Sequence, residues 1–324
     1  MRKSGYCLVD KYTMLIKDFQ SFLNESMSGL HKVICAISSD LSDFDYVTGK
    51  SGQTRQFMKL FTRGDRSYRA DIPVVNYCNI HTRRLIKAGT PKELIYNPEQ
   101  AKMRIASKVD WHGIHTGSPH IPKTVTDAEE IDNLRFPIIA KPENRYSGQG
   151  IVKFGTLEET READLSQFAV FSEQIDIAEE HRIPVWRGQP LMWMQRVPAD
   201  RKTREMDKEA DDKLRFNYVL KDLKGMPAEW KDVISEVAEK HRDLDFYSVD
   251  LAIDKAGKPW VIEMSSEFAP LFGITALIYD RVYRDHYGRP LSKADAARLE
   301  GYRKRDIQAT IKMDPDRFSV GTLL

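Results

Sequence analysis

The sequence predicts an α/β protein built from more than one packed unit. Three observations carry that expectation. The first third alternates short apolar runs with helically spaced segments. An apolar run, "FPIIAKPENRYSGQG" (Phe136 to Gly150), ends in a lone lysine and passes at once into a polar loop with glycines. Farther on, two alternating runs flank "DKAGK", the pattern of a β-hairpin. The chain has 324 residues, enough for two or three units with a sizeable core.

The elements follow in order. "GYCLV" is a short apolar run, "LIKDFQSFLNESM" has helical spacing, and "KVICAI" and "IPVVN" are compact strands. A helix over "NIHTRRLIKAG" stops at Gly89. Strand, helix, strand in alternation predicts a small parallel α/β unit over residues 1–92. "YNPEQAKMRIASKVDWHG" opens the next unit, 93–172, as one helix. Asn97 is its expected N-cap, with Pro98 at the first helical position and Gln100 closing a capping box. "HIPKTVT" and "FPIIAKP" are strands around the helical "DAEEIDNL", and "AVFSEQI", "HRIPVW" and "QPLMWMQRV" are further strands. The nearly all-charged stretch 198–215 reads as a solvated loop, with a mobile lid over a site as the alternative. "AEWKDVISEVAEKHRDL" is an amphipathic helix in the third unit, 173–290. A last helix, "SKADAARLEGYRKRDIQATI", lies in the tail, 291–324.

Composition narrows the function classes. Lys plus Arg is 50 and Asp plus Glu is 48, a net charge of +2. That balance argues against nucleic acid or an anionic membrane as the main partner. Cys7, Cys35 and Cys78 are scattered, with no C-x-x-C pair, which suits a reducing compartment. The start, "MRKSGYCLVDKYTM", has no long apolar run behind its basic residues, and no stretch of about 18 apolar residues occurs. The expectation is a cytoplasmic protein.

The hairpin locates a carboxylate pair. With the turn centred between Ala256 and Gly257, Val249 faces Met264, Leu251 faces Ile262 and Ile253 faces Trp260, an apolar face throughout. The other face sets Asp250 across from Glu263, with no basic residue nearby on that face. Facing Cβ atoms lie about 4.5–5.5 Å apart, so two carboxylates there repel unless neutralised. A hard divalent cation is the economical partner. A solvated acidic pair is the plain alternative. A shift of one residue in the turn would unmake the pairing.

A lysine and glycine loop followed far downstream by a paired-carboxylate hairpin resembles the ATP-grasp superfamily, most closely ligases of the RimK glutamate-ligase type. The resemblance covers roughly Pro91 to Gly273. It implies a pre-ATP-grasp α/β domain followed by two α+β subdomains that grip ATP. Lys102 then matches the first nucleotide lysine, with Lys108 as runner-up on the same helix, and Lys141 the second, on the phosphates. "ENRYSGQG" matches the glycine-rich loop over those phosphates, so Ser147, Gly148 and Gly150 are implied phosphate contacts. Glu173 would begin the strand that meets adenine, with Ile175 following it, and Glu180 would bind the ribose. "HRIPV" resembles the family's D-I-R-V piece, which makes Arg182 a substrate or phosphate contact, with His181 replacing an acid. Arg196, and Arg215 with Asn217 in "RFN", resemble groups that face an acyl phosphate.

Asp250 and Glu263 match the family's magnesium carboxylates. Ser265 stands where the family has asparagine, and a hydroxyl ligates a hard cation more weakly than a carbonyl oxygen. Glu267 is a candidate to compensate. The implied cofactors are ATP and one or two Mg²⁺, with Mn²⁺ as a substitute. The implied reaction joins a carboxylate to an amine, an amino acid or peptide included, through an acyl phosphate, releasing ADP and phosphate. An ATP-grasp kinase and a catalytically impaired nucleotide-binding regulator are the alternatives. A homo-oligomer is allowed. "WHGIHTGSPH", with His112, His115 and His120, also admits a histidine-bound metal, against a simple helix-to-strand connection.

Overall fold

The computed structural model describes residues 30, 33–36, 59–61, 72–76, 82–87, 89–143, 150–198, 216–266 and 271–321. The readings at "GYCLV", "LIKDFQSFLNESM" and the charged stretch after Pro198 lie outside the described residues, as do Ser147, Gly148, Arg215 and Glu267.

The described strands group into three sheets. β1 (Ile34–Ala36), β2 (Lys59–Phe61), β3 (Val74–Asn76) and β4 (Ile95–Tyr96) form the first, in the order β2-β1-β3-β4 and parallel at every step. Helix α1 (Thr82–Lys87) connects β3 to β4. The parallel pairing agrees with the expected α/β unit, with two differences: β2 lies in a stretch that offers no strand signal, and β4 falls past residue 92.

The next segment differs from the single helix expected of it. Helix α2 (Glu99–Ala106) and helix α3 (Lys108–Ile114) are separated by Ser107, whose backbone is extended at φ −76° and ψ 119°. The Ser107 hydroxyl accepts from the Asp110 N–H and starts α3 afresh. Lys102 and Lys108 therefore sit on different helices. Asn97 does not cap α2. Its φ is +60°, and its side chain turns away to accept from the Asp245 and Phe246 N–H groups, as a neighbouring strand would. Its own N–H donates to the Asp245 carboxylate. Tertiary bonding to a distant strand overrides the local signal, and Pro98 stands at the cap instead.

The second sheet holds β5 (Thr124–Val125), β6 (Ile138–Lys141), β7 (Val152–Phe154) and β8 (Val170–Glu173), in the antiparallel order β5-β8-β6-β7. "DAEEIDNL" forms a 3₁₀ segment, and helix α4 (Leu157–Glu162) covers the sheet's edge. Ile138, Ala140, Phe154 and Phe171 pack into its core. The alternation that buries Ile138 and Ala140 leaves Lys141 at the strand's end, half-buried.

The third sheet is the largest: β9 (Ile177–Trp186), β10 (Gln189–Pro190), β11 (Trp193–Pro198), β12 (Phe216–Lys221), β13 (Phe246–Asp254), β14 (Pro259–Ser265) and β15 (Phe318–Val320). Its order is β14-β13-β9-β11-β12-β15, with β10 paired to β9. One face carries Ile183, Val185, Val249, Leu251 and Val261. It packs on α5 (Ala228–Glu239), whose Trp230, Val233, Ile234 and Val237 recur at helical spacing. The other face packs at one end, through Trp186, Met194 and Phe246, against α6 (Ile274–Tyr287) and α7 (Lys293–Met313). The tail is no appendage, since β15 pairs in parallel with β12 and closes that edge of the sheet. Among the described residues no helix is long and apolar enough to cross a membrane.

Candidate functional site

The uncovered end of that second face gathers charge. Strand alternation and register place Glu180 and Arg182 of β9, Arg196 of β11, Tyr218 of β12, and Asp250 and Glu263 of the hairpin on it together. The hairpin pairs Asp250 with Glu263, as expected, and Ser248 with Ser265. It arrives there by a different route. Near the turn Leu251 faces Val261, Ala252 faces Trp260 and Ile253 faces Pro259, one residue off the expected pairing. Ile262 is the extra residue of a β-bulge, and it restores the register at Glu263. The turn is tightened by the Asp254 carboxylate, which accepts from the Ala256 and Lys258 N–H groups, while Gly257 takes φ +86°.

The expectation that no basic residue lies near the pair is overturned by the neighbouring strands. Arg182 faces Asp250 across β9 and β13. It donates through Nε to Oδ1 and through Nη2 to Oδ2, each at 2.7 Å. Arg196 donates from Nη1 to Asp250 Oδ2 at 2.9 Å and lies 3.6 Å from Glu180. The Arg196 guanidinium also stacks over the Phe216 ring at 4.2 Å. The Asp250 side chain is only 4% exposed. Burial works against its charge, but the two guanidiniums override that and hold its carboxyl below the usual range. Burial likewise opposes the charge of Arg182, and Asp250 more than restores it.

Glu263 differs from its partner. It opens to solvent, yet the protein packed around its carboxyl and the charge of Asp250 together push its pKa up. Lys141, at the end of β6 in the second sheet, lies within electrostatic reach of it. Crowding around the Lys141 ammonium pulls its pKa down, Glu263 resists, and Lys108 adds to the fall. The two sheets thus bring a lysine, two arginines and two carboxylates to one place.

The other expected residues are placed as follows. Lys102 is buried at 3% exposure on α2. Lys108 donates from Nζ to the Glu143 carbonyl, and the Glu143 carboxylate accepts from the Lys108 and Val109 N–H groups. Glu143, two residues after Lys141, was not singled out in the sequence; a carboxylate beside a helix N-terminus is the only signal it offers. Gly150 resumes the described chain with φ +71°. Glu173 ends β8 rather than beginning a strand, and its carboxylate accepts from the Arg135 N–H at 3.0 Å. Ile175 lies in the short link from β8 to β9. Asn217 pairs with Val197, on the opposite face from Arg196 and Tyr218. His181 also lies on that opposite face, buried, accepting from Trp193 Nε1 at 3.0 Å. Phe216 and Tyr218 also line the charged face, and only the register with β11 reveals them.

The histidines of "WHGIHTGSPH" do not gather: His112 and His115 are buried, while His120 is half-buried with Nδ1 3.3 Å from the Pro259 carbonyl. Among the described residues no group of three or more His, Cys, Asp or Glu side chains is arranged to hold a metal ion. His115 and His241 meet Nε2 to Nε2 at 2.8 Å, a contact that needs one shared proton and leaves both rings neutral. Burial is the main cause that lowers the pKa of His112 and His115 to about 3 and of His241 to about 4. Lys141, Lys108, Lys240 and Arg104 press the same way, and Asp243 opposes them at His241. These folded values lie below the unfolded one, so the stabilisation is complete above about pH 6.5 and is lost as pH falls toward 4. At about pH 5 each of the three is expected to cost up to about 2 kcal/mol relative to neutrality. Urea unfolding at graded pH checks this; a stability constant between neutrality and about pH 5 would contradict it.

A divalent cation on this face meets unequal donors. Both Asp250 oxygens already accept guanidinium N–H groups. Glu263 offers an open carboxylate, and Ser265, on the same face of β14, offers a hydroxyl. Mg²⁺ keeps most of its waters and takes one or two carboxylates, so Glu263 with Ser265 fits it and Asp250 fits it poorly.

Residues 81–267, more than half of the chain, match the family model described as "ATP-grasp domain, R2K clade family 3". No curated protein matches the sequence. Among solved structures, N5-carboxyaminoimidazole synthetase from Staphylococcus aureus complexed with ADP aligns with TM-score 0.53 at 13% identity, over 81% of this chain and 78% of that one. The ATP-grasp ligase PsnB complexed with minimal precursor aligns with TM-score 0.51 at 13% identity, over 84% and 99%. D-alanine–D-alanine ligase from Bacillus anthracis aligns with TM-score 0.50 at 15% identity, over 87% and 98%. Likeness at these identities is a likeness of fold.

Proposed function

The chain belongs to the ATP-grasp domain, R2K clade family 3, and from that premise we propose that it is a RimK-type, ATP-dependent carboxylate–amine ligase. One observation carries the reading: Lys141 from the second sheet converges with Arg182, Arg196, Asp250 and Glu263 on the open face of the third. ATP lies between these sheets. Lys102 and Lys141 meet its phosphates, with Ser147, Gly148 and Gly150 of the glycine loop closing over them. Glu173 and Ile175 flank adenine, and Glu180 meets the ribose.

An oxygen of the substrate carboxylate attacks the γ-phosphorus, the bond to the β,γ-bridging oxygen breaks, and ADP leaves. Lys141, Arg182 and Arg196 neutralise charge as it develops, with Arg215 and Asn217 as further contacts to the acyl phosphate. The amine then attacks the acyl carbon. A C–N bond forms, phosphate departs, and the amine loses a proton. Mg²⁺, or Mn²⁺ in its place, would be held at the hairpin pair, on Glu263 with Ser265 adjacent and Asp250 behind them, and would supply charge neutralisation at the phosphates. No side chain needs to become covalently linked to substrate, so catalysis is positioning and electrostatics. Amino acids and peptides are among the amine acceptors this reading admits. We place the protein in the cytoplasm and divide it near residues 92, 172 and 290, with β4 crossing the first boundary to complete the first sheet and β15 crossing the last to complete the third.

ATP turnover across a panel of carboxylates and amines, peptides included, tests the reading. ADP, phosphate and an amide in equal amounts are the expected products. A stable phosphorylated product would instead make the chain a kinase. ATP binding with no turnover on any pair would make it a regulator.

A further inference from the structure

The two hairpin carboxylates face each other but live in different surroundings, and the difference assigns them different work. Resting on the ligase reading above, we propose that Glu263 takes the divalent cation of a nucleotide–metal complex, while Asp250 is a positioning residue that holds the Arg182 and Arg196 guanidiniums on the site face.

Three features support the division. The first is occupancy. Asp250 accepts from Arg182 Nε at Oδ1, and from Arg182 Nη2 and Arg196 Nη1 at Oδ2. A cation bound there would have to displace a guanidinium while the other stayed on the same carboxylate, and like charges would crowd one site. The second is access. Asp250 lies at the floor of the sheet with its side chain 4% exposed, whereas Glu263 is open to solvent and forms no hydrogen bond or ion pair among the described residues. A cation that keeps several of its waters and also touches phosphate oxygens needs the open position.

The third is fixation. Arg196 is held from three sides: by Asp250 at 2.9 Å, by Glu180 at 3.6 Å and by the Phe216 ring at 4.2 Å. Arg182 is gripped in the two-point geometry that matches a guanidinium to a carboxylate. Asp250 uses its capacity to fix two planar forks of N–H donors, and each fork keeps N–H groups beyond those that Asp250 accepts. This arrangement is suited to meeting charge as it develops on a transferring phosphoryl group, because the donors are already in place.

Nucleotide-dependent Mn²⁺ binding, followed by electron paramagnetic resonance at saturating ADP, tests the division directly. Wild type is compared with Glu263→Gln, Asp250→Asn and the double variant Asp250→Asn/Arg182→Gln, which removes both charges of the bidentate pair and so guards against a single variant that fails to fold. Glu263→Gln is expected to weaken Mn²⁺ binding by about tenfold or more. Both Asp250 variants are expected to leave Mn²⁺ affinity unchanged. In steady-state turnover, Asp250→Asn is expected to lower kcat with no change in the Mg²⁺ activation constant. Weakened Mn²⁺ binding in the Asp250 variants, or unaltered binding in Glu263→Gln, overturns the division alone. A wild type that binds no Mn²⁺ with ADP overturns the ligase reading and the division with it.

Discussion

Replacing Lys141 with methionine is expected to lower kcat/KM for ATP turnover by about 10²–10³-fold while leaving the fold as stable as before, or more so. The two halves of that expectation have one cause. Lys141 ends a strand whose Ile138 and Ala140 are fully buried, and the protein crowded around its ammonium already pulls its pKa down. A charge held in such a place costs stability, so removing it and keeping the stem relieves the fold. On the proposed reading the charge serves the ATP phosphates, beside Glu263. A lysine with a merely structural role would behave in the opposite way, with stability falling and turnover surviving. Thermal melts read beside turnover separate the two, and a variant within about tenfold of wild type in turnover would contradict the assignment.

Arg182→Met is expected to destabilise the protein by about 3–5 kcal/mol. The substitution removes two of the three hydrogen bonds to Asp250, whose side chain is 4% exposed, and leaves a buried carboxylate with Arg196 alone. The penalty comes mostly from the stranded charge and not from the worth of the pair itself. Adding Asp250→Asn is therefore expected to recover most of the loss, giving a large coupling energy in a double-mutant cycle. Denaturant midpoints measure all four corners. A single variant within about 1 kcal/mol of wild type would mean that Asp250 is already neutralised in another way.

Parts of this site are legible in the sequence alone. Lys141 could be found because an apolar strand that ends in a cation beside a glycine loop is a local pattern. The Asp250–Glu263 pairing could be found because both residues belong to one hairpin. It survived an incorrect turn: the register slips by one near Ala256, and the bulge at Ile262 slips it back. The arginine clamp was not legible as a clamp. Arg182 and Arg196 were singled out one at a time, but their meeting at Asp250 depends on β9 lying between β13 and β11, an order set by the whole sheet. Asn97 shows the same limit from the other side. Asn-Pro before a helical stretch reads as a cap in any local view, yet here the asparagine takes φ +60° and bonds to residues 148 and 149 positions away.

The central claim is that a carboxylate oxygen of the substrate becomes an oxygen of the released phosphate. Once the panel yields an active acid, turnover with that acid labelled by ¹⁸O in its carboxylate measures this directly. The ligase reading predicts phosphate carrying one ¹⁸O for each amide bond formed, since the acyl phosphate breaks at its carbon–oxygen bond. Unlabelled phosphate, or label retained in a stable phosphorylated product, would contradict it.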